Sequence, residues 1–119
     1  MTIVPTITEV MVDCRDPEVL AGFWAKLLGV EVRNRLGDQY VWLTGQEPNG
    51  YRLAFQRVPD PTPGKNRLHV DGECSDLDAL TERVRNLGGS LVEQHTIEGF
   101  RWNVYADPEE NVFCFGSAT

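Results

Sequence analysis

A glutamate stands in an alternating apolar segment near the start of the sequence. Over residues 7–13 the alternation predicts a strand in which Glu9 shares one face with Met11, while Val10 and Val12 point to the other. A carboxylate among apolar neighbours is costly unless it faces a wet cleft, a cation or a hydrogen-bond donor. The pattern therefore predicts that Glu9 faces a polar cleft, where a carboxylate can bind a metal ion or assist proton transfer.

A histidine occupies the position sixty residues further on. His69 shares its predicted strand face with Arg67 and Asp71, opposite the apolar Leu68 and Val70. Histidine changes charge near neutral pH, so His69 suits a general base for proton abstraction beside a carbonyl group. Together with the glutamate it would also suit a divalent metal ion. The glutamate and the histidine are the predicted catalytic residues.

The offset between these two residues belongs to an internal repeat. Short matches recur along the chain at offsets of 59 or 60 residues: Cys14-Arg15-Asp16 with Cys74-Ser75-Asp76, Leu28-Gly29 with Leu87-Gly88, Trp42 with Trp102, and Glu47-Pro48 with Asp107-Pro108. Two copies of this register account for nearly the whole chain. The sequence therefore predicts two half-sized modules in one domain spanning residues 1–119, with module one at about 1–58, a linker at 59–66 and module two at about 67–119.

Both modules follow the order strand, helix, three strands. In module one the predicted strands are 7–13, 30–33, 39–44 and 51–58, and the helix begins at Asp16-Pro17, where Asp caps it, and ends at Gly29. In module two the predicted strands are 68–73, 90–94, 101–105 and 111–115, with a helix at 75–87. The predicted fold class is α+β, built from two βαβββ modules.

Composition and charge exclude several classes of partner. The chain has 119 residues, 41% hydrophobic and 24% charged, as is typical of a globular domain. Its net charge of −7, with no basic stripe, argues against nucleic acid. No apolar run or leading segment resembles a membrane span or a signal peptide. The three cysteines form no C-x-x-C pair, which indicates reduced thiols in a cytoplasmic protein.

Several local strings resemble a known superfamily. The segment Phe23-Trp24-Ala25-Lys26-Leu27-Leu28-Gly29 resembles the helix end, and Asp107-Pro108-Glu109-Glu110-Asn111 the turn before the last strand, of the vicinal oxygen chelate superfamily, with Glu110 at the usual glycine. That superfamily contains glyoxalase I, extradiol dioxygenases, fosfomycin-resistance enzymes and bleomycin-binding proteins. Residues 55–59 and 65–71 resemble short glyoxalase-like proteins of actinobacterial type. The resemblance covers essentially the whole chain.

The resemblance implies a set of metal ligands. In this superfamily each curled sheet forms half of a cleft, and ligands project from the first and fourth strands of each module. The matching positions here are Glu9 and His69 on the first strands, and Gln56 and Cys114 on the fourth strands. Such a set would hold a divalent ion such as zinc, nickel or manganese. The thiol of Cys114 departs from the glutamate usual in metal-dependent members and favours softer ions, which makes the set imperfect.

Two classes of function follow from the resemblance. The first is a lyase or isomerase that acts on a carbonyl or vicinal-oxygen substrate. The second is a metal-free protein that sequesters an aromatic or cationic ligand, as bleomycin-binding relatives do. A homodimer is the expected assembly for either function. The side chains expected to line its cleft are Trp42, Phe55, Arg67, Phe100, Trp102 and Tyr105.

Each candidate residue also has a purely structural interpretation. Glu9 would pair with an arginine, Gln56 would cap a strand edge, and His69 would be a hydrogen-bonded core histidine. Cys114, between two phenylalanines, would be an inert core thiol. A Ser–His–Asp or Cys–His triad is not expected, because nothing in the sequence orders these groups.

Overall fold

The structure, a computed structural model, describes residues 9–46, 50–64, 66 and 69–118. The chain divides into two compact units, Met1–Pro59 and Asp60–Thr119. Each unit contains one strand, one helix and three further strands in that order. The predicted α+β fold of two repeated βαβββ modules is therefore confirmed.

The first unit is a four-stranded sheet with one helix. Its elements are β1 (Glu9–Cys14), α1 (Pro17–Leu28), β2 (Val32–Leu36), β3 (Tyr40–Leu43) and β4 (Arg52–Arg57). The strand order is β1-β4-β3-β2. The first strand runs parallel to β4, and the other two pairs are antiparallel.

Both ends of α1 are fixed by the residues that the sequence indicated. The carboxylate of Asp16 accepts hydrogen bonds from the backbone N–H groups of Glu18 and Val19, at 3.2 and 3.3 Å, and Pro17 occupies the first turn. At the other end Gly29 adopts a left-handed conformation with φ of 69°. The N–H of Val30 then bonds the Ala25 carbonyl. Because this cap uses Val30, β2 begins at residue 32 rather than at the predicted residue 30.

The helix packs one apolar stripe on the sheet. The buried stripe is Leu20, Phe23, Trp24 and Leu27, and it meets buried side chains of the sheet that include Val41, Leu43, Leu53 and Phe55. Val19 is 55% exposed, because it lies one residue outside this stripe. On the opposite side of α1, the Glu18 carboxylate lies 2.7 Å from Nε of Arg35 on β2. The hydrogen bond and the negative charge of Glu18 raise the pKa of Arg35.

The second unit repeats the arrangement. Its elements are β5 (Asp71–Glu73), α2 (Leu77–Asn86), β6 (Ser90–Ile97), β7 (Phe100–Ala106) and β8 (Val112–Ala118), in the strand order β5-β8-β7-β6. The strand predicted at 68–73 begins at Asp71, with residues 67 and 68 outside the described part. The hairpin of β6 and β7 extends to Ile97 and Phe100, further than predicted. There Glu98 and Gly99, with φ of 46° and 80°, form a two-residue turn that the sequence reasoning missed.

A buried polar network lies beneath α2. The Thr81 hydroxyl donates to the Leu77 carbonyl at 2.8 Å and lies 2.9 Å from the hydroxyl of Tyr105. Asn103 donates its side-chain amide to that same Tyr105 hydroxyl at 3.0 Å. Because each buried polar group has a partner, the network joins α2 to β7 without an unsatisfied donor or acceptor.

The pairing register repeats between the units. Met11 pairs with Ala54 where β1 meets β4, and Asp71 pairs with Cys114 where β5 meets β8. Both partners are offset by sixty residues. The structural counterpart of Cys114 in the first unit is therefore Ala54, and the counterpart of Gln56 is Gly116.

The turn before β8 is built around one buried carboxylate. Asp107 is 4% exposed, and its side chain accepts hydrogen bonds from the backbone N–H groups of Glu109 and Asn111, at 2.9 and 3.0 Å. The side-chain amide of Asn111 completes the turn by donating to the same carboxylate. Between them, Glu110 takes a left-handed conformation with φ of 68°. This geometry explains why glycine suits that position.

The first prediction concerns this strained residue. Replacing Glu110→Gly should raise the free energy of unfolding by about 0.5–1 kcal/mol, because a non-glycine residue pays roughly 1–2 kcal/mol in that region, more than glycine loses in chain entropy. The measurement is chemical denaturation of the two proteins. The matched control, Glu109→Gly, should lower stability, because Glu109 has no such strain. An equal loss in both variants would contradict this explanation.

Among the described residues, neither helix is long and apolar enough to cross a membrane.

Candidate functional site

The side chains with chemical potential in the second unit lie on the face of its sheet that α2 does not cover. Along β7 and β8, Asn103, Tyr105 and Phe113 are buried under the helix, so the residues between them point to the other side. We call this side the helix-free face. Its described polar and aromatic residues are His69, Asp71, Glu73, Glu93, His95, Phe100, Trp102 and Cys114.

Three of these residues form a cluster. The ring nitrogen Nδ1 of His69 lies 2.5 Å from Oδ1 of Asp71. One donor atom from each of His69, Asp71 and Cys114 lies within 4.8 Å of the others. The side chains of His69 and Asp71 are 40% and 65% exposed, and Cys114 is half-buried. The cluster thus joins a base, a carboxylate and a thiol at a place that a small molecule can reach.

Strand pairing explains why these residues meet. Asp71 and Cys114 are direct partners across the parallel strands β5 and β8, so their side chains point to the same face. His69 stands two residues before Asp71, and the Val70 carbonyl between them accepts the backbone N–H of Cys114 at 2.9 Å. The alternation places His69 and Asp71 on one side of that strand, as predicted. Their proximity to Cys114, with ligand atoms within 4.8 Å, is a feature that the sequence analysis did not predict.

An aromatic cluster occupies the other half of the same face. The rings of His95 and Trp102 stack with centroids 4.8 Å apart and planes 16° from parallel. Phe100 follows at 6.0 Å from Trp102. Glu93 lies 2.8 Å from Nε2 of His95. A methyl group added at Gly116 would lie 2.5 Å from the tip of the Phe100 ring, so the glycine is what lets this ring approach β8 so closely.

The predicted ligand Glu9 has a different environment in the first unit. Its carboxylate lies 2.9 Å from Nη2 of Arg33 and 3.8 Å from Nη2 of Arg52. Met11, on the same face, is 42% exposed, so Glu9 does point away from the helix as the alternation predicted. The structure supports the ion-pair interpretation of Glu9, with Arg33 and Arg52 as the arginines.

The other candidates of the first unit divide between the two faces. Gln56 pairs with Asp13 and lies four residues along the ladder from the Glu9–Arg52 pair, about 13 Å at the usual rise per residue. Trp42 stacks on Tyr40 at 5.4 Å, on the helix-free face. Phe55 is fully buried between that sheet and α1.

Two predicted cleft residues are core residues instead. Phe55 and Tyr105 have no exposed surface, and both lie on the helix-covered face of their sheets. The sequence analysis predicted them as cleft residues because they lie on strands expected to line the cleft. The alternation of side chains along each strand instead points both toward the helix. Arg67, predicted as a ligand contact, lies outside the described residues.

The residue that the prediction of the site missed is Asp71. The sequence analysis placed it on the same face as His69 but assigned it no role. The repeat alone could not have found it, because the offset of sixty relates Cys114 to position 54 without showing which residue lies opposite either of them. The pairing of Met11 with Ala54 in the first unit, repeated in the second, is what sets Asp71 opposite Cys114.

The second prediction tests the aromatic cluster. The ring current of Trp102 should shift the ring protons of His95 to higher field than those of His69, because, of the two histidines, His95 is the one that stacks on an indole. A proton spectrum of the protein resolves the two histidines. Trp102→Leu should move the His95 signals to ordinary positions and leave the His69 signals in place. His95 signals that stay put in this variant would contradict the stacking.

Comparisons with known proteins agree with this architecture. Solved structures similar to the chain include a glyoxalase/bleomycin resistance protein/dioxygenase family enzyme from Burkholderia phytofirmans PsJN, at 16% identity and a TM-score of 0.78 over 94% of this chain and 98% of that one. A lactoylglutathione lyase from Agrobacterium tumefaciens matches at 18% identity and a TM-score of 0.68, over 98% and 96%. The fosfomycin resistance protein FosX from Listeria monocytogenes matches at 15% and 0.76, over 98% and 96%.

These similarities establish the fold alone, because sequence identities this low do not show a shared function. No protein of curated function matches the chain in sequence. The narrower resemblance to actinobacterial proteins stays a prediction. A family model for the glyoxalase-like domain, however, matches residues 9–116, which is nearly the full length, and the chain therefore belongs to the glyoxalase-like domain family.

Proposed function

We propose that the protein is a lyase or isomerase that moves a proton on a small carbonyl or vicinal-oxygen compound, with His69 as its general base. The observation that carries the proposal is the hydrogen bond between His69 and Asp71 beside the thiol of Cys114. A solvent-accessible imidazole oriented by a carboxylate is the arrangement that general acid–base catalysis requires.

The hydrogen bond to Asp71 determines which ring nitrogen of His69 can act as the base. An ionised Asp71 can only accept, so Nδ1 of His69 carries the proton of this bond. The lone pair of the neutral ring is then on Nε2. In this role Nε2 removes a proton from the carbon next to a carbonyl group and returns it to a neighbouring atom, while Asp71 stabilises the imidazolium formed in between.

The family supports this class of reaction. A lactoylglutathione lyase from Agrobacterium tumefaciens shares the fold across 98% of this chain. Its name supports the view that this fold can carry out lyase chemistry. One fold can host many activities, however, so the name does not identify the substrate. The substrate class in the proposal therefore rests on the residues at His69 and not on that name.

Glu9 has no catalytic part in this proposal. Its carboxylate is already held by Arg33 and Arg52, so a substrate proton would have to compete with two guanidinium groups. Glu9 instead fixes these arginines on the helix-free face of the first sheet.

The predicted metal set fits a divalent ion poorly. Bringing an ion to Glu9 would place it beside two guanidinium groups, and Ala54, the counterpart of Cys114, has no donor atom. Gln56 lies two residues beyond that counterpart. Among the described residues of the second unit, His69, Asp71 and Cys114 offer ligand atoms within 4.8 Å of one another, but this group lacks Glu9 and Gln56. The proposed chemistry needs only the side chains of the cluster.

The third prediction tests the base. In D2O, the protein should exchange the α-protons of glycolaldehyde, a short α-hydroxyaldehyde, for deuterium, as followed by proton NMR. His69→Ala should reduce the rate by about 10²–10⁴-fold, because a positioned general base contributes that much. The matched control is His95→Ala, which removes the histidine paired with Glu93 on the same face and should leave the rate unchanged. Equal rates in the two variants would contradict the assignment.

A second candidate function is binding without turnover, and the other half of the same face favours it. Phe100, Trp102 and His95 present a continuous aromatic surface, and Phe100 is 44% exposed. Three carboxylates border this face, those of Asp71, Glu73 and Glu93, and its described residues include no lysine or arginine. A planar cation suits such a surface by stacking and by charge. In this alternative the protein sequesters its ligand, with a homodimer as the expected form.

The fourth prediction tests this alternative with proflavine, a planar cationic dye. The dye should quench tryptophan fluorescence in a saturable titration, and Glu93→Gln should weaken its binding about fivefold, which corresponds to ~1 kcal/mol for a lost charge contact. Glu82→Gln, a neutralisation on α2, serves as control for net charge. Equal weakening by both variants would mean that the dye responds to overall charge and not to this face.

A further inference from the structure

We propose that the first unit binds a small planar carboxylate on the face of its sheet that α1 does not cover. Arg33 and Arg52 hold the charged group of this ligand, and its ring lies against Trp42. The site belongs to the first unit alone and does not involve His69. The inference therefore goes beyond the proposed function and does not depend on it.

A β-bulge in β2 determines where Arg33 points. The pairing of Val32 with Leu43 is followed by the pairing of Asn34 with Trp42, so two steps along β2 match one step along β3. Arg33 is the extra residue of this bulge. Bulges re-aim side chains in this way, and they are over-represented beside functional sites.

The bulge separates two arginines that regular alternation would place on one face. Arg35 lies on the helix side, since its Nε donates to Glu18 of α1 at 2.7 Å. Arg33 instead donates from Nη2 to the carboxylate of Glu9, which points away from the helix, at 2.9 Å. An exposed ion pair contributes little stability, so stability alone does not account for the bulge.

The ion pair between Glu9 and Arg33 spans the sheet. The two residues belong to the outer strands of the order β1-β4-β3-β2, so their side chains reach across the two middle strands. Arg52 of β4 places its Nη2 3.8 Å from the same oxygen of Glu9. Two guanidinium groups thus gather at one carboxylate oxygen. The cluster carries two positive charges and one negative charge, in a chain whose net charge is −7.

This charge surplus suits a second carboxylate. A guanidinium group has five N–H donors, and among the described residues Arg33 makes one hydrogen bond, to Glu9. The side chains of Arg33 and Arg52 are 40% and 35% exposed, so a solute can reach both. The paired N–H groups of arginine match the two oxygens of a carboxylate, which favours this anion as the ligand group.

An aromatic pair beside the arginines indicates the shape of the ligand. Trp42 pairs with Ala54, which stands two residues after Arg52 on β4, so Trp42 and Arg52 are diagonal neighbours about 7–8 Å apart. The ring of Tyr40 stacks on Trp42 with centroids 5.4 Å apart and planes 15° from parallel. A flat ring that stacks against this pair brings a carboxylate attached to it within reach of the arginines.

The fifth prediction is tested by isothermal titration calorimetry with 2-naphthoate, a flat aromatic carboxylate. The protein should bind it saturably, and Arg33→Gln or Arg52→Gln should weaken binding about tenfold or more, because each removes a charge-assisted hydrogen-bond donor. The matched control is Arg101→Gln, which removes an arginine paired with Asp78 in the second unit and should leave the affinity unchanged. Melting temperatures establish that each variant is folded.

Replacing Glu9 should have the opposite effect. Glu9→Gln removes the carboxylate that competes for both arginines and keeps the size of the side chain, so 2-naphthoate should bind about threefold to fivefold more tightly. A purely structural ion pair would give no such gain in affinity. Trp42→Leu should weaken binding, whereas Trp102→Leu, on the second unit, should not.

Three results would overturn the inference. The first is that neither the parent protein nor Glu9→Gln binds 2-naphthoate. The second is equal weakening by Arg33→Gln and Arg101→Gln, because the ligand would then respond to net charge alone. The third is equal affinity for 2-naphthamide, the uncharged analogue, because the ring would then bind without the arginines. None of these results affects the deuterium exchange assigned to His69, so the proposed function is tested separately.

Discussion

The parallel pairing between the first and last strands of each unit is the constraint on which the site depends. Where β5 meets β8, this pairing sets Asp71 beside Cys114, although 43 residues separate them in sequence. Parallel partners point their side chains to the same face, so a carboxylate and a thiol meet without any local motif. The hydrogen bond from Nδ1 of His69 to Asp71 then adds the base to the pair.

The same backbone carries different chemistry in the two units. Where the second unit has His69, Asp71 and Cys114, the first has Glu9, Met11 and Ala54 at the repeat-related positions. Only one of these three is polar, and two arginines neutralise it. The repeat therefore conserves strand register and core packing, while the reactive groups are concentrated in one copy.

The sequence predicted the fold well because its signals are local. Asp16 and Gly29 mark the ends of α1 through their own capping geometry, and the offset of sixty residues revealed the second copy. Alternation also placed His69 and Asp71 on one face. It could not show which residue of a distant strand lies opposite, which is why Gln56 was matched to Cys114 and the proximity of Cys114 to Asp71 and His69 was missed. Phe55 and Tyr105 were misplaced for another reason. They were assigned to the cleft from the strands they belong to, without asking which face of the sheet each side chain points to.

The composition of the helix-free face limits which chemistry the scaffold can support here. Fold similarity at 15–18% identity is shared by a lyase and a fosfomycin-resistance protein, so it does not select a reaction. Side chains do select: Glu9 is bound to arginines, whereas His69, Asp71 and Cys114 bring an imidazole, a carboxylate and a thiol together in the second unit. An oriented imidazole next to a thiol needs neither an ion nor a second unit. Proton transfer next to a carbonyl group, with His69 as the base and Asp71 as its partner, is thus the chemistry that requires least of this chain beyond the contacts it already makes.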